Sequence, residues 1–243
     1  MVTTGGNLSP SLQQHTEFPI CYTVHMRITA IEPQASNPER INLYVDGHFL
    51  FGVHAEVVFQ MGLALEQELQ PAQLEQLRHE EALQQAVDRA FNYLSFRPRS
   101  REEFRRYLRR KQTPAELIES VLARLDRLNL VNDRDFASFW VESREQFNPR
   151  GAHALKNELR MKGVARDVAD ELVDEEKDEE RALHAGRKKA LSLIRIPAID
   201  YATFRTRLGS FLQRRGFSYE VSTRTIRALW EELRGEKDEE KLS

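Results

Sequence analysis

The amino-acid sequence predicts a mainly α-helical protein: a tandem array of three three-helix repeats that follows a small amino-terminal β-hairpin and helix segment. Apolar residues recur at helical spacing across residues 82–234, and one pattern of residue types returns after 51 residues and again after a further 53. Near the start of the chain, Asp46-Gly47 separates two runs of β-forming residues. These observations indicate a repeat protein with a small strand-containing segment in front.

Turn residues, charge and the repeat period divide the 243 residues into six segments. We expect a disordered leader over 1–25, a β-hairpin and helix cap over 26–81, three-helix repeats over 82–131, 132–180 and 181–234, and a charged tail over 235–243. The leader lacks the basic start and apolar centre of a signal peptide. The alternative is that it is an upstream extension and that Met26 is the functional start.

The segment over residues 26–81 begins with predicted strands. Residues 28–31, 41–45 and 48–53 are rich in β-branched and aromatic types, and Asp46-Gly47 stands before the third run. Asp-Gly at such a place is typical of a two-residue hairpin, because a type I′ turn needs positive φ at both central residues. Since two or three strands are marginally stable alone, we expect a helix around Leu77 to cover their apolar face.

The repeats align without gaps inside a unit. Pro98-Arg99 falls on Pro149-Arg150, and Lys111-Gln112 falls on Lys162-Gly163 and on Arg215-Gly216. The apolar matches are Ala86, Ala137 and Ala190; Phe104, Leu155 and Leu208; Leu108, Leu159 and Leu212; and Leu122, Val173 and Ile226. Because a unit of about 50 residues buries little surface alone, we expect stacked neighbours to share one continuous core in an elongated, curved array.

Capping residues predict where the helices begin and end. Ser100 with Glu103 is a capping box at the start of the middle helix of repeat 1. Thr113-Pro114-Ala115-Glu116 is a second one, with proline at the first helical position. Further capping residues are Asn132 and Ser218 at helix starts, and Gln112, Gly163 and Gly216 at helix ends.

Cations crowd into the middle helix of repeat 1. Eight of the residues in 97–111 are Arg or Lys, and Arg101, Arg105 and Arg109 share one helix face. Like charges at this spacing are mutually destabilising, which favours an acidic or phosphate-bearing partner. The alternative is a solvated face whose charges pair within the molecule. Repeat 3 is also basic, and between the two basic regions the run 167–180 holds nine acidic residues.

No set of residues predicts catalysis, a cofactor or a metal. The sequence has no phosphate loop, dinucleotide fingerprint or nucleophile elbow. Leu83 stands where a zinc-protease helix that starts at His79 needs its second histidine. The lone Cys21 indicates a reducing, cytoplasmic setting, and no apolar run approaches the length of a membrane span. We therefore expect a cytoplasmic protein that is not an enzyme, has no cofactor and does not bind a membrane.

Three motifs carry a resemblance to a known family. They are Arg101-x-x-Phe104-x-x-Tyr107-Leu108-x-x-Lys111, Leu128-x-Leu130-Val131-Asn132-Asp133-x-x-Phe136-Ala137-x-x-Trp140-Val141-x-x-Arg144, and Gly151-x-x-x-Leu155-x-x-Glu158-Leu159-x-x-Lys162-Gly163. In residue type and spacing the chain resembles the RecX family, regulators of the RecA recombinase, over about residues 26–234. One departure is Gln112, where glycine is usual, and another is the less regular first helix of repeat 3.

The resemblance implies a monomeric negative regulator that lies in the groove of the RecA–single-stranded-DNA filament and inhibits ATPase, strand exchange and coprotease activity. Single- or double-stranded DNA is a weaker expected partner. The alternative is a direct DNA-binding or transcription regulator that uses the basic helix of repeat 1. The residues expected to contact the filament or DNA are Arg99, Arg101, Arg105, Arg109, Arg110, Lys111, Arg144, Arg150, Arg160, Lys162, Arg214 and Arg215.

Overall fold

The computed structural model describes residues 26–240, with side chains described as far as Gly235. The leader expected over 1–25 and the last residues of the expected charged tail, 241–243, lie outside the described residues. The chain forms two compact units that divide between Arg78 and His79. The first unit contains the strands, and the second is helical.

The first unit contains an antiparallel sheet in the order β3-β2-β1-β4. The elements of this unit are β1 (Met26–Gln34), β2 (Asn37–Val45), β3 (His48–His54), the short helix α1 (Ala55–Gln60) and β4 (Glu68–Leu69). Asp46 and Gly47 have φ of 49° and 78°, so the predicted hairpin turn, with positive φ at both central residues, is confirmed. The two-residue strand β4 is too short to produce a sequence pattern.

One face of this sheet is covered by helices. Ile28, Leu43 and Val53 of the strands are fully buried together with Val57 of α1 and Leu77. Leu77 belongs to α2 (Pro71–Leu94), the helix predicted to cover the sheet. A small sheet thus acquires the apolar partner that it needs for stability.

The second unit consists of helices that fall into three repeats, which confirms the predicted fold class. After α2 come α3 (Arg101–Arg110), α4 (Ala115–Arg127), α5 (Asp133–Phe147), α6 (Ala152–Met161), α7 (Arg166–Leu172), α8 (Asp178–Ile194), α9 (Tyr201–Arg214) and α10 (Tyr219–Glu240). Repeat 1 comprises the end of α2 with α3 and α4, repeat 2 comprises α5–α7, and repeat 3 comprises α8–α10. The boundaries expected before residues 82 and 181 fall inside α2 and α8.

Each repeat has a core of its own, so the expectation of one continuous core is wrong. The buried apolar residues form separate clusters around Phe104 in repeat 1, around Phe136 in repeat 2 and around Phe204 in repeat 3. All three phenylalanines are at most 1% exposed. Each repeat therefore buries the apolar faces of its own helices. Contacts between neighbouring repeats are made by backbone and charged groups.

The helix ends follow local sequence. The side chain of Ser100 accepts a hydrogen bond from the backbone N–H of Glu103, as Asn132 and Ser218 do from residues that follow them, so these three caps are confirmed. Gly163 and Gly216 both have φ of 84°, and Gln112 takes the same left-handed place with φ of 59°. The middle helices of all three repeats therefore end in the same motif.

The cap predicted at Thr113 is wrong. The backbone N–H of Thr113 donates to the carbonyl of Leu108, and Val164 and Phe217 make the equivalent bonds in the other repeats. Thr113 thus closes the end of α3 as a buried residue, and Pro114 becomes the N-cap of α4 with no side-chain hydrogen bond. The hydroxyl of Thr113 has no hydrogen-bond partner among the described residues. The closing motif of the preceding helix outweighs the local capping signal at this position.

Candidate interaction surface

Helix α3 buries its apolar stripe and carries cations on its other faces. Two of the three arginines expected to form one basic face are paired with carboxylates of α4. Arg101 lies 2.6 Å from Asp126, and Arg105 donates hydrogen bonds of 2.9 and 3.1 Å to Glu119. The Arg105–Glu119 bond raises the pKa of Arg105 and lowers the pKa of Glu119, so both charged forms are favoured. The charges of Arg101 and Arg105 are therefore paired within the molecule, as the alternative interpretation of this helix face expects.

The carboxyl-terminal end of α3 remains cationic and exposed. Arg109, Arg110 and Lys111 are exposed, and in the part of the chain whose side chains are described no carboxylate forms a salt bridge with them. The charge of Arg109 contributes, after that of Arg105, to the lowered pKa of Glu119. Cations are favoured at this end by the partial negative charge of the last carbonyl groups. Arg110 and Lys111 also lie 5.8 and 5.9 Å from the ring centroid of Tyr107. Three fixed positive charges are thus presented to solvent.

The start of α3 contacts repeat 2 through a charged junction. The Ser100 hydroxyl donates a 2.6 Å hydrogen bond to the carbonyl of Lys162, and the ammonium of Lys162 lies 2.6 Å from Glu103. Arg97 donates to both oxygens of the same carboxylate at 2.9 and 3.0 Å. Burial alone would raise the pKa of Glu103, but the hydrogen bonds from Arg97 and Lys162 outweigh it and hold this pKa below its ordinary value.

The junction between repeats 2 and 3 uses equivalent positions. The backbone N–H of Gly151, which aligns with Ser100, donates to the carbonyl of Arg215, which aligns with Lys162. The guanidinium of Arg215 donates to Asn148 Oδ1 at 2.5 Å and to the carbonyl of Pro149 at 3.1 Å. Burial, with a smaller contribution from nearby Arg150, lowers the pKa of Arg215. Arg215 and Lys162 therefore serve as contacts between repeats.

A cluster around Trp140 gathers further cations of the expected site. Glu158 accepts hydrogen bonds from Trp140 Nε1 at 2.9 Å and from Arg144 Nε at 2.8 Å, and Arg150 Nε lies 2.9 Å from the same carboxylate. Lys162 lies 3.9 Å and Arg144 4.4 Å from a Trp140 ring centroid. The partly buried Trp140 packs against the core of repeat 2 as well as against these cations.

The remaining expected residues are scattered. Arg99 stacks 3.8 Å from the ring centroid of Tyr93 and donates to the carbonyl of the same residue. Arg160 is exposed and donates to Asn157, and Arg214 is exposed on α9. The structure thus brings Arg144, Arg150 and Lys162 together, places Arg109, Arg110 and Lys111 at one helix end, and leaves Arg99, Arg160 and Arg214 apart.

Sequence reasoning missed two exposed aromatic residues at equivalent positions. Phe96 is 83% exposed and Phe147 is 76% exposed, and each stands two residues before a Pro-Arg pair. The register of 51 residues that aligns the Pro-Arg pairs also aligns these phenylalanines, so the signal was present in the sequence. Large apolar side chains held in solvent next to cations are candidates for contact with a macromolecular partner.

The residues described by the structure contain no group of three or more His, Cys, Asp or Glu placed to hold a metal ion. Among the described helices, none is both long and apolar enough to cross a bilayer.

The fold and this surface define a tandem three-helix repeat protein in which charged side chains cluster at the junctions between repeats. Four family descriptions match in order along the chain: "Regulatory protein RecX N-terminal domain" over 26–70, and the first, second and third three-helix domains of RecX over 86–125, 132–173 and 176–226. The chain belongs to the RecX family of regulatory proteins.

Relatives and solved structures agree with this family. "Regulatory protein RecX" of Bacillus pumilus is 31% identical over 88% of this chain and 82% of the relative. The protein of the same description from Bacillus subtilis is 29% identical over 88% of this chain and 79% of the relative. A solved structure described as "Crystal structure of regulatory protein RecX" is 26% identical, with a TM-score of 0.63 over 81% of this chain and 96% of that structure.

Proposed function

We propose that this protein is a negative regulator of RecA. It binds the RecA–single-stranded-DNA filament in its groove and thereby inhibits ATPase, strand exchange and coprotease activity. The observation that carries this proposal is the ordered match of all four RecX domains, which groups the chain with proteins described as regulatory. In this proposal the protein acts in the cytoplasm as a monomer, by occupying a surface rather than by catalysing a reaction.

The exposed cations at the end of α3 support the proposal. Arg109, Arg110 and Lys111 are exposed next to one another, and no carboxylate of the described side chains forms a salt bridge with them. A nucleoprotein filament exposes phosphates and acidic side chains that such a cluster would attract. We expect this cluster, rather than the paired Arg101 and Arg105, to contribute most of the charge-dependent binding.

The test of the proposal is RecA-dependent ATP hydrolysis on single-stranded DNA with sub-stoichiometric protein added. We expect inhibition of the ATPase and sedimentation of the protein together with the filaments. Normal ATP hydrolysis together with no co-sedimentation would overturn the proposal.

A charge-reversal variant tests the end of α3. We expect Arg109→Glu with Arg110→Glu to weaken filament binding by roughly tenfold, because reversed charges at a contact surface oppose association. Both side chains are exposed, so the circular dichroism spectrum should not change. The matched control is Lys188→Glu with Arg195→Glu, which makes the same change of charge at exposed positions of repeat 3. Equal losses in the two variants would show that only net charge matters.

Direct DNA binding is the second candidate function, and the same three exposed cations favour it. If α3 contacts phosphates, the logarithm of the affinity for duplex DNA should fall with the logarithm of salt concentration, with a slope of about −0.9 for each contact. A gel-shift titration without RecA measures this slope. Tight, sequence-dependent binding in the absence of RecA would favour the second candidate over the first.

A further inference from the structure

A salt bridge joins the middle and third helices across the groove between them in repeats 1 and 2. In repeat 1, Arg105 of α3 lies 2.9 Å from Glu119 of α4. In repeat 2, Lys156 of α6 lies 3.3 Å from Asp170 of α7. These residues occupy equivalent positions, because the register of 51 residues aligns Arg105 with Lys156 and Glu119 with Asp170. A long cationic side chain thus spans the same groove in both repeats.

Repeat 3 lacks both members of this bridge. The register places Gly209 where the cation stands and Thr223 where the carboxylate stands. A groove of about 350 Å³, here called the repeat-3 groove, lies open between α9 and α10. It is lined among others by Arg205, Gly209, Gln213, Tyr219, Ser222 and Thr223.

The backbone does not require glycine at position 209. Gly209 does not have positive φ, and a Cβ built there would meet only Ile226 Cδ1, at an ordinary contact distance of 3.5 Å. The absence of a side chain at this position therefore leaves open space rather than relieving strain. It opens the groove that the other repeats fill with part of their own chain.

A buried hydroxyl lies under the open groove. Ser222 is 2% exposed, and its Oγ makes no hydrogen bond with any described residue. The equivalent positions in repeats 1 and 2 hold the apolar Ile118 and Ala169. A buried hydroxyl without a partner is unfavourable, so a bound group that accepts a hydrogen bond from Ser222 would stabilise the buried hydroxyl at this position of repeat 3.

The donors that line the groove specify the chemistry of its occupant. The hydroxyls of Thr206, Ser210 and Thr223 already donate to backbone carbonyls of their own helices. The guanidinium of Arg205 donates to the Tyr219 hydroxyl at 3.0 Å and keeps further N–H groups. With Gln213 and Ser222, these residues offer donors and one positive charge, and no carboxylate lines the groove. A carboxylate is the side-chain group that this set complements.

We propose that the repeat-3 groove is a docking site for an acidic side chain, Asp or Glu, presented by a partner protein. The partner's carboxylate lies near Arg205, Tyr219 and Ser222, in the place that an internal salt bridge fills in the other repeats. This inference rests on the proposed function, because it takes the protein surface of the RecA filament as the source of the acidic side chain.

The test is a variant that rebuilds the missing bridge. Gly209→Arg with Thr223→Glu restores the pair that repeat 1 has at these positions and leaves the net charge unchanged. We expect the filled variant to keep its helical circular dichroism and its thermal midpoint, and to bind RecA filaments about tenfold more weakly. The matched control is Gly209→Ala with Thr223→Ser, which leaves the groove open and should bind as the wild type does.

The outcomes separate this inference from the proposed function. Failure of the wild-type protein to bind filaments would overturn the proposed function. Wild-type binding that is matched by the filled variant would overturn the docking site alone. Should the filled variant unfold, Arg205→Gln provides a second test, because it leaves the groove open and removes its charge. We expect it to weaken binding several-fold, and unchanged affinity would again overturn the docking site.

Discussion

At the scale of single residues, Glu103 joins repeats 1 and 2. Its carboxylate is only 10% exposed and binds Arg97 of its own repeat and Lys162 of the next one. Lys162 also lies over the ring of Trp140, so one cation satisfies a carboxylate and an aromatic face at the same time. Glu103, which the sequence predicts to complete a capping box, is thus an electrostatic contact between two repeats.

Replacing Glu103 with Gln should destabilise the protein by about 1 to 3 kcal/mol at neutral pH, since hydrogen bonds to charged groups contribute that much. The pKa of Glu103 is lowered by Arg97 and Lys162, so its stabilisation is present above the pKa of the unfolded chain and is lost as the pH falls through the folded pKa. Urea denaturation across this acidic range should show the wild type losing its advantage over the variant.

The matched control for this prediction is Glu119→Gln. Glu119 also pairs with an arginine, but its side chain is 61% exposed, so solvent screens the pair. We expect a loss of less than about 1 kcal/mol. A loss as large as that of Glu103→Gln would show that burial does not determine the strength of these pairs.

At the scale of secondary-structure elements, the middle helices meet head to tail. The end of α6 contacts the start of α3 through Lys162 and Ser100, and the end of α9 contacts the start of α6 through Arg215 and Gly151. Carbonyl groups at one helix end therefore face the N–H groups at the next start, which is the favourable alignment of helix dipoles. These contacts, rather than a shared core, connect successive repeats.

The close approach at Gly151 gives a prediction for the contact between α6 and α9. A Cβ at this position would lie 2.2 Å from the carbonyl oxygen of Gly216, which is backbone and cannot move aside. Gly151→Ala should therefore destabilise repeats 2 and 3 by about 1 to 3 kcal/mol. Gly235→Ala is the control, because a Cβ there meets nothing within 4 Å, and we expect it to be neutral or slightly stabilising. Thermal denaturation of the two variants measures the difference, and equal midpoints would contradict this account.

At the scale of the whole molecule, separate cores predict that stability varies between repeats. Leu208 is fully buried in the core of repeat 3 and belongs to no other cluster. Leu208→Ala should cost about 2 to 5 kcal/mol and should speed hydrogen exchange in α8–α10 more than in α3 and α4. Hydrogen exchange followed by mass spectrometry measures each repeat. A uniform increase across all three repeats would show instead that they unfold as one unit.

Local features of this fold could be predicted from the sequence, whereas contacts between distant segments could not. Ser100, Asn132 and Ser218 cap helices as predicted, because a cap depends on residues within one turn. The pairing of Arg105 with Glu119 depends on how α3 packs on α4, and that of Lys162 with Glu103 on how two repeats meet. The sequence of this arginine-rich run therefore does not predict which of its cations pair with carboxylates inside the molecule.

The backbone at the starts of α3 and α6 is completed by the repeat that follows. The N–H of Arg101 donates to Asp133 in repeat 2, and the N–H of Ala152 donates to Asp178 in repeat 3. At the opposite ends of α6 and α9, the carbonyl groups of Lys162 and Arg215 accept hydrogen bonds from the repeat that precedes them. Shortening the chain from its carboxyl terminus therefore leaves these backbone N–H groups without their acceptors, whereas shortening it from the amino terminus removes the side-chain partners of Lys162. During synthesis, α3 and α6 must therefore wait for the next repeat to leave the ribosome before their first turns are fully bonded, whereas α9 is capped by Asp200 of its own repeat.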